Sequence, residues 1–222
     1  MSANTNRNTL NYRDVIQRLI YIVIDPLLQL LLRLRVTPNV VTVAGLVGNA
    51  LAAWLFVLAA LCMADDTARA YALVTWGGVV ILLAGLLDMM DGRLARLGGL
   101  SSKFGALLDS TLDRYSELLT LSGIALLLLR AGDDWFWAGI VTFAAIIGSM
   151  MVSYVRARAE GLGISCKVGL MQRPERVVVT AVAAIATGLA EDLLWMAVGM
   201  TVIALLANLT AVWRIIHCYK EG

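Results

Sequence analysis

Charged side chains are scarce in this sequence, and so are the alternating polar positions that mark membrane β-strands. Only 15% of the 222 residues are Asp, Glu, Lys or Arg, and 60% are hydrophobic, whereas soluble domains are about one quarter charged and about half apolar. This composition excludes an ordinary soluble domain, and the lack of alternation argues against a β-barrel. A net charge of +2 leaves no strong electrostatic footprint for nucleic acid. We therefore predict an all-α integral membrane protein that binds no nucleic acid.

Histidine and cysteine are also rare. The one histidine, His217, lies near the C-terminus, and Cys62, Cys166 and Cys218 are too far apart for the usual metal-ligand spacing. Neither a zinc site nor a Ser-His-Asp or Cys-His arrangement can be read from the sequence. We therefore expect no covalent catalysis.

The long apolar segments begin after Pro38, and each is near the roughly 20 residues that a helix needs to cross a bilayer. Before them, residues 10–34 have apolar positions at helical spacing, but arginines and Asp25-Pro26 interrupt the run. This favours an amphipathic helix on the membrane surface over a kinked first span. We predict a surface region at residues 1–36, disordered over the first nine, and a six-helix transmembrane domain at residues 37–222. The predicted spans are at about 40–63, 71–91, 104–130, 134–158, 174–190 and 192–216.

Lysine and arginine are unevenly distributed about these spans. With six spans both termini lie on one side, and 16 of the 18 Lys and Arg residues fall on that side. Only Arg69 and Arg130 fall on the other side, where the connections are short and acidic. Because cytoplasmic loops carry the excess of Lys and Arg, we predict a multi-pass protein of the cytoplasmic membrane with both termini on the cytoplasmic side.

Four aspartates lie within 26 residues, around the connection between the second and third predicted spans. Asp88 and Asp91 are three residues apart and Asp109 and Asp113 are four apart, so each pair shares a helix face. A Gly-Gly pair between them permits a tight connection, which makes the two helices antiparallel neighbours. Such close carboxylates repel one another, and hard cations such as Mg²⁺ or Mn²⁺ prefer oxygen ligands. The pattern predicts a divalent-metal site on the cytoplasmic side.

The same aspartates allow two other interpretations. They could balance nearby cations in a structural network, although such a network would be expected to alternate signs. They could also form the cation site of a transporter, but transporter carboxylates usually lie near mid-membrane at broken helices, and these cluster at one end of the predicted spans. The cations available for a structural network are Arg93, Arg96, Lys103 and Arg114.

Residues 88–113 carry a longer pattern than the aspartates alone. They read Asp-x-x-Asp-Gly-x-x-Ala-Arg, eight residues, Gly, three residues, Asp, three residues, Asp. In this the chain resembles the CDP-alcohol phosphotransferase (phosphatidyltransferase) family, whose signature it matches at every defined position. The six spans, the preceding surface helix and the Thr-Pro-Asn at 37–39 also resemble that family.

The resemblance implies transfer of a phosphatidyl-type group from a CDP-linked lipid to an alcohol, with release of CMP. It implies that Asp88, Asp91, Asp109 and Asp113 bind two divalent metals, Mg²⁺ with Mn²⁺ as the alternative, and that Asp113 is also the general base. It further implies a homodimer. The residues implied to contact the CDP-lipid are Asn39, Thr42, Gly92, Arg96 and Ser102.

Residues 153–176 form a basic stretch between the fourth and fifth predicted spans. It contains five Lys and Arg residues but only two acidic residues, Glu160 and Glu175, so it could bind a phosphorylated acceptor. The alternative interpretation is the ordinary excess of positive charge in cytoplasmic loops. The stretch resembles the prokaryotic phosphatidylinositol phosphate synthase branch, which implies acceptor-phosphate contacts at Arg156, Arg173 and Arg176.

The expected substrates are therefore CDP-diacylglycerol and a phosphorylated polyol, with inositol phosphate as the first expectation. Glycerol phosphate, serine and a free polyol are the alternative acceptors. Transfer of a headgroup from a CDP-amino-alcohol to diacylglycerol is an alternative reaction.

Overall fold

The structure is a computed structural model that describes residues 24–221. Over these residues it contains α-helices and one 3₁₀ turn but no β-strand, which confirms the predicted all-α class. The first 23 residues, which include most of the predicted surface helix, lie outside the described residues. The helices are α1 at residues 24–33, α2 at Pro38–Cys62, α3 at Thr67–Leu97, α4 at Lys103–Arg130, α5 at Phe136–Gly161, α6 at Arg173–Ala190 and α7 at Leu194–Glu221, with the 3₁₀ turn at Asp133–Trp135.

Helices α2 to α7 coincide with the six predicted apolar segments. In the described part of the chain, four stretches are long and apolar enough to cross a membrane: α2, α3, the 3₁₀ turn with α5, and α7. Helix α4 falls short because acidic and basic residues occupy its first half, and α6 because Arg173, Glu175 and Arg176 stand in its first turn. Charge near the helix start separates both from the other four, and α6, with 18 residues, is also too short to leave an equally long stretch free of that charge.

Proline and serine define where the helices around the connections begin. Pro38 and Pro174 lie in the first turns of α2 and α6, where a missing backbone N–H costs nothing. At the start of α4 the hydroxyl of Ser102 accepts a hydrogen bond of 2.9 Å from the backbone N–H of Gly105. This N-cap satisfies a donor that the first helical turn would otherwise leave unpaired.

Small residues allow the helices to pack closely. Helix α2 packs against α3 and α4, α3 against α6, and α5 against α4 and α7. A Cβ atom added at Gly78 or Gly123 would lie 2.8 Å from the carbonyl oxygen of Ala181 or Ala53, respectively. Backbone-to-backbone approach at small residues is the usual way for membrane helices to gain contact area, so these contacts hold α3 on α6 and α4 on α2.

Helices α3 and α4 are joined by residues 98–102, where Gly99 has φ +62°, as the Gly-Gly pair predicts. They are not packed neighbours along their length, because α2 packs against both of them and direct contacts between them are few. The prediction that the two helices are antiparallel neighbours therefore holds at their aspartate-bearing ends, where the carboxylate oxygens of Asp88, Asp91 and Asp109 lie within 4.8 Å of one another, and not along the rest of the helices. Repulsion between the acidic faces opposes close packing, and the space left between the two helices becomes part of the site.

The described part of α1 is attached to the same end of α3. Its Ile24 and Leu28 are buried in a small apolar cluster with Met90 and Leu94 of α3. The guanidinium of Arg93 donates two hydrogen bonds of 2.8 Å to the carboxylate of Asp25. Helix α1, which lies outside the predicted six-helix domain, thereby holds the end of α3 that carries Asp88 and Asp91.

Candidate metal and substrate site

Three of the four aspartates converge. The carboxylate oxygens of Asp88, Asp91 and Asp109 lie within 4.8 Å of one another. Asp88 and Asp91 share a face of α3 because they are three residues apart, and Asp109 reaches them from the first two turns of α4. Asp91 is only 4% exposed, so its charge lies away from bulk solvent.

These three residues fit a hard divalent cation. All the donor atoms are carboxylate oxygens, the ligands that Mg²⁺ and Mn²⁺ accept most readily. The Oδ2 atom of Asp91 is buried and has no hydrogen-bond partner within the described part of the chain. A buried carboxylate oxygen without a partner is unfavourable, and a cation held by the three groups would compensate it.

The fourth aspartate, Asp113, has a different neighbour. Arg173, the first residue of α6, places Nη2 at 2.8 Å from Oδ1 of Asp113 and Nη1 at 2.6 Å from Oδ2 of Asp88. Two of the cations considered for a structural network have other contacts: Arg93 binds Asp25, and Arg114 donates to the carbonyl oxygen of Ser110. A residue 60 positions further along the chain than Asp113 thus provides the charge partner.

A cavity of about 230 Å³ opens beside Asp91 and Asp109; we call it the aspartate cavity. It is lined by residues of α2, α3, α4 and the connection between the last two. All five residues predicted to contact the CDP-lipid lie on its wall together with the two aspartates. They are Asn39, Thr42, Gly92, Arg96 and Ser102.

Gly92 contributes open space to this cavity. A Cβ atom added there would lie 3.7 Å from Nη1 of Arg96, which is an ordinary contact distance. Protein packing therefore does not require glycine at this position, although a glycine inside a helix costs stability. The space it leaves faces Arg96, the exposed basic residue of the same wall.

A second cavity, of about 280 Å³, opens beside Asp113; we call it the arginine cavity. Helices α4, α5, α6 and α7 all contribute to its wall, so it is assembled from residues far apart in sequence. The three arginines predicted to bind an acceptor phosphate line it, as do two further ones. The five are Arg114, Arg156, Arg173, Arg176 and Arg214.

The three predicted arginines differ in their contacts. Arg156 is 43% exposed and donates to Glu160, one turn later on α5, at 2.9 Å. Arg176 is only 2% exposed and donates to both carboxylate oxygens of Glu117, at 2.5 and 2.9 Å, and to a backbone carbonyl. Arg173 lies between these extremes, with 21% of its side chain exposed.

Two functional candidates were missed in the sequence. Glu117 binds Arg176, and Arg214, which is 2% exposed, donates to the carbonyl oxygens of Val168 and Val152 at 2.8 and 2.5 Å. Arg214 thereby attaches the connection before Arg173 to α5 and α7. An arginine within an otherwise apolar helix was the available signal, whereas nothing in the spacing pairs Glu117 with Arg176.

Comparison with known proteins identifies the family. The family model for CDP-alcohol phosphatidyltransferase matches residues 35–213 of the chain, which is most of its length and includes every cavity-lining residue except Arg214. The chain belongs to the CDP-alcohol phosphatidyltransferase family. This confirms the family expected from residues 88–113.

Relatives in the family carry related names. A phosphatidylinositol phosphate synthase of Cutibacterium acnes is 36% identical over 170 residues, which are 76% of this chain and 75% of that protein. An archaetidylinositol phosphate synthase of Methanothermobacter thermautotrophicus is 33% identical over 219 residues, which are 97% of each. The two names differ in the lipid and share the inositol phosphate.

Solved structures of one phosphatidylinositol phosphate synthase are similar over most of the chain. The phosphatidylinositol phosphate synthase PgsA1 of Mycobacterium tuberculosis, in complex with manganese and citrate, has a TM-score of 0.77 at 28% identity, over 89% of both chains. The same protein with CDP-DAG bound has a TM-score of 0.75, over 89% of this chain and 94% of that one. The helical arrangement around both cavities is thus that of this family.

Proposed function

We propose that this protein transfers the phosphatidyl group of CDP-diacylglycerol to inositol phosphate and releases CMP. The observation that carries the proposal is the juxtaposition of two cavities across one aspartate cluster. The aspartate cavity offers carboxylates, glycine and Arg96 for a nucleotide diphosphate, and the arginine cavity offers guanidinium groups for a second phosphate. Asp88 and Asp113, joined by Arg173, stand between the two sets.

The acceptor is supported by what the relatives have in common. The bacterial and archaeal relatives are named for different lipids but for the same headgroup. A structural neighbour at 28% identity holds CDP-DAG, which supports a CDP-linked lipid as the donor. A phosphorylated acceptor also agrees with the concentration of arginine beside Asp113, because guanidinium groups bind phosphate through paired hydrogen bonds.

We assign two divalent cations, Mg²⁺ with Mn²⁺ as the alternative, to Asp88, Asp91, Asp109 and Asp113. The manganese in the M. tuberculosis neighbour and the convergence of three of these carboxylates support the assignment. When bound, such cations neutralise the diphosphate and the charge that develops on the departing CMP oxygen.

The residues of the aspartate cavity bind and orient the donor. Gly92 leaves room for the diphosphate to approach the helix backbone, and Arg96 offers donors to its oxygens. Ser102 holds the start of α4 through its hydrogen bond to Gly105. Asn39 and Thr42, in the first turns of α2, border the cytidine part.

Asp113 is the proposed general base. It accepts the proton of the acceptor hydroxyl as that oxygen bonds to the phosphorus atom of the phosphatidyl group, while the bond from phosphorus to the CMP oxygen breaks. Arg156 and Arg173 receive the acceptor phosphate, which orients the hydroxyl toward Asp113. Arg176 also faces the cavity, and we assign it to the acceptor phosphate as a group that Glu117 holds in place.

We further propose the membrane arrangement that the sequence predicts. Helices α2 to α7 form a six-span domain at residues 37–222, preceded by a surface region at residues 1–36, with both termini and the site on the cytoplasmic side. The positions of the six helices and the distribution of Lys and Arg support this arrangement. We also propose a homodimer. Asp65→Cys and Lys220→Cys, each in a chain whose three native cysteines are replaced, test the sidedness by labelling in intact cells, because only the cysteine at position 65 should react with an impermeant reagent.

The function is tested with purified protein, labelled CDP-diacylglycerol, Mg²⁺ and one candidate acceptor at a time, with CMP release as the readout. We expect CMP with inositol phosphate and little with inositol, serine or glycerol phosphate. CMP only with an unphosphorylated alcohol would contradict the acceptor. If no acceptor releases CMP and diacylglycerol does not react with CDP-amino-alcohols, the protein is not a transferase, and ion flux in proteoliposomes becomes the next assay.

A further inference from the structure

Arg173 contacts two of the aspartates and also lines the arginine cavity. Its two terminal nitrogens lie at 2.6 and 2.8 Å from Asp88 and Asp113, two of the carboxylates that we assign to divalent metal. The same side chain lines the arginine cavity. It is therefore the one predicted acceptor contact that is also an ion-pair partner of the metal ligands within the described residues.

The Nε atom of Arg173 indicates a second possible position for the guanidinium. It is buried and finds no hydrogen-bond partner in residues 24–221, so the contact with the aspartates leaves one donor unpaired. A buried donor without an acceptor is unfavourable, and an anion in the arginine cavity would provide an acceptor for it. Because Arg173 is the first residue of α6, the preceding helical turn does not restrict its side chain.

A cation on Asp88 and Asp113 opposes the contact that Arg173 makes there. The cation and the Arg173 guanidinium are both positive and bind the same carboxylates, so the binding of one weakens the binding of the other. An anion in the arginine cavity acts in the opposite sense, since it attracts Arg173 away from the aspartates. Two ligands that each favour the same arrangement of a side chain strengthen each other's binding reciprocally.

We propose that Arg173 couples the two substrate sites: it competes with the divalent cation for Asp88 and Asp113, and the acceptor phosphate relieves that competition. This inference rests on the proposed function, because it takes the arginine cavity as the site of a phosphate. It makes Arg173 a positioning residue for the metal site as well as a ligand of the acceptor. Metal and acceptor phosphate then bind cooperatively without direct contact between them.

The test measures Mn²⁺ binding to the full-length protein in detergent by electron paramagnetic resonance of free Mn²⁺, with no CDP-lipid and hence no turnover. Sulfate is the anion probe, because it carries two charges as phosphate does and leaves Mn²⁺ in solution. Arg173→Gln is compared with the wild type, and Arg156→Gln is the matched control. Arg156 lines the same cavity but contacts Glu160 rather than the aspartates.

We expect Arg173→Gln to bind Mn²⁺ about tenfold more tightly than the wild type, a coupling of ordinary size, and Arg156→Gln to stay within about twofold. Sulfate should tighten Mn²⁺ binding in the wild type and, at higher sulfate concentrations because one anion ligand is lost, in Arg156→Gln, but it should have no effect at any concentration in Arg173→Gln. The proposal is overturned if Arg173→Gln binds Mn²⁺ no better than the wild type or the control. It is also overturned if the sulfate effect persists without Arg173.

Helical circular dichroism checks that the variants are folded. If Arg173→Gln does not fold, Arg173→Lys replaces it, because a compact ammonium lacks the planar fork that spans two carboxylates; unchanged Mn²⁺ affinity in that variant would also contradict the proposal. CMP release separates this inference from the proposed function. Turnover with inositol phosphate but no Mn²⁺ effect removes the coupling alone, and a Mn²⁺ effect without turnover removes the transferase alone.

Discussion

The aspartate cavity and the arginine cavity differ in how their charges are satisfied. In the aspartate cavity, Asp91 and Asp109 converge with Asp88, and the buried Asp91 has an oxygen without a hydrogen-bond partner in the described residues. In the arginine cavity, each of the three predicted phosphate ligands already contacts an acidic side chain. A cation at Asp91 and Asp109 therefore displaces no ion pair of the described residues and displaces Arg173 only from Asp88 and Asp113, whereas a phosphate at any of the three predicted arginines must replace an acidic partner.

This difference has a consequence for affinity. A cation bound at Asp91 and Asp109 supplies a counter-charge that no ion pair of the described residues provides, so most of that part of its interaction energy appears as binding. A phosphate in the arginine cavity is bound only by the difference between its contacts and the ion pairs it displaces. Selectivity between acceptors is then easier to obtain there than high affinity, because specificity is itself a difference of free energies.

The largest effect is expected from loss of charge in the aspartate cavity. Asp91→Asn keeps the size of the side chain but removes one metal ligand, and metal ions contribute several kcal/mol to such reactions. We expect kcat/KM for CMP release to fall about a thousandfold, at about 1.4 kcal/mol per factor of ten. Asp133→Asn, at the connection before α5, is the control and should retain wild-type activity. An Asp91→Asn enzyme within tenfold of the wild type would exclude Asp91 as a ligand.

The next effect concerns the buried ion pair of the arginine cavity. Glu117→Gln leaves the guanidinium of Arg176 buried without its counter-charge, which typically costs about 3–5 kcal/mol of stability. We expect a markedly lower midpoint of thermal unfolding in detergent. Replacement of both partners, Glu117→Leu with Arg176→Met, should recover most of the loss, since an apolar pair of similar volume is often neutral.

The matched control for this pair is Glu160→Gln. Glu160 is 52% exposed and pairs with Arg156 one turn away, and exposed pairs contribute about 0–1 kcal/mol. If Glu117→Gln and Glu160→Gln lower the unfolding midpoint equally, the Glu117–Arg176 pair is not the fixed part of the arginine cavity.

Effects of intermediate size are expected from arginine variants, and they should change the KM of a different substrate in each cavity. Arg96→Ala should raise the KM for CDP-diacylglycerol, and Arg156→Ala the KM for inositol phosphate, each by roughly 10- to 100-fold for the loss of a charge-assisted hydrogen bond. Each variant should leave the KM of the other substrate within about threefold. Initial rates over a grid of both substrates provide the measurement, and equal changes in both KM values would show that the cavities are not separate sites.

The smallest effect is expected at Gly92. Gly92→Ala adds a methyl group at ordinary contact distance from Arg96 and should raise the free energy of unfolding by about 0.5–1 kcal/mol, because alanine is the better helix former. The same methyl group occupies space in the aspartate cavity, so the KM for CDP-diacylglycerol should rise. A variant that is both less stable and kinetically unchanged would mean that Gly92 serves packing.

The sequence predicted the aspartate cavity better than the arginine cavity. The wall of the aspartate cavity comes from residues 38–109, where helix periodicity and a short connection determine which side chains meet. The presence of Asp91, Gly92, Arg96 and Asp109 in one site could therefore be predicted from spacing and from the family signature. The helical class and the positions of α2 to α7 followed from apolar segment lengths.

The remaining features depend on packing between segments distant in sequence. Placement of α2 between α3 and α4, the pairing of Glu117 with Arg176, and the position of Arg173 on Asp88 and Asp113 all need the tertiary arrangement. Ion-pair partners were the least predictable, because any of several arginines on the predicted cytoplasmic side could have faced the aspartates. The six-span topology, the homodimer and the roles of the individual site residues stay predictions.

The central claim is direct transfer between two substrates held on either side of Asp113. It is tested by incubating the enzyme with CDP-diacylglycerol and inositol phosphate in ¹⁸O-water and analysing CMP and lipid by mass spectrometry. Direct transfer predicts phosphatidylinositol phosphate and CMP in equal amounts, neither containing ¹⁸O, and no CMP when inositol phosphate is left out. Phosphatidic acid or CMP carrying ¹⁸O as a main product would mean hydrolysis rather than transfer, and would contradict it.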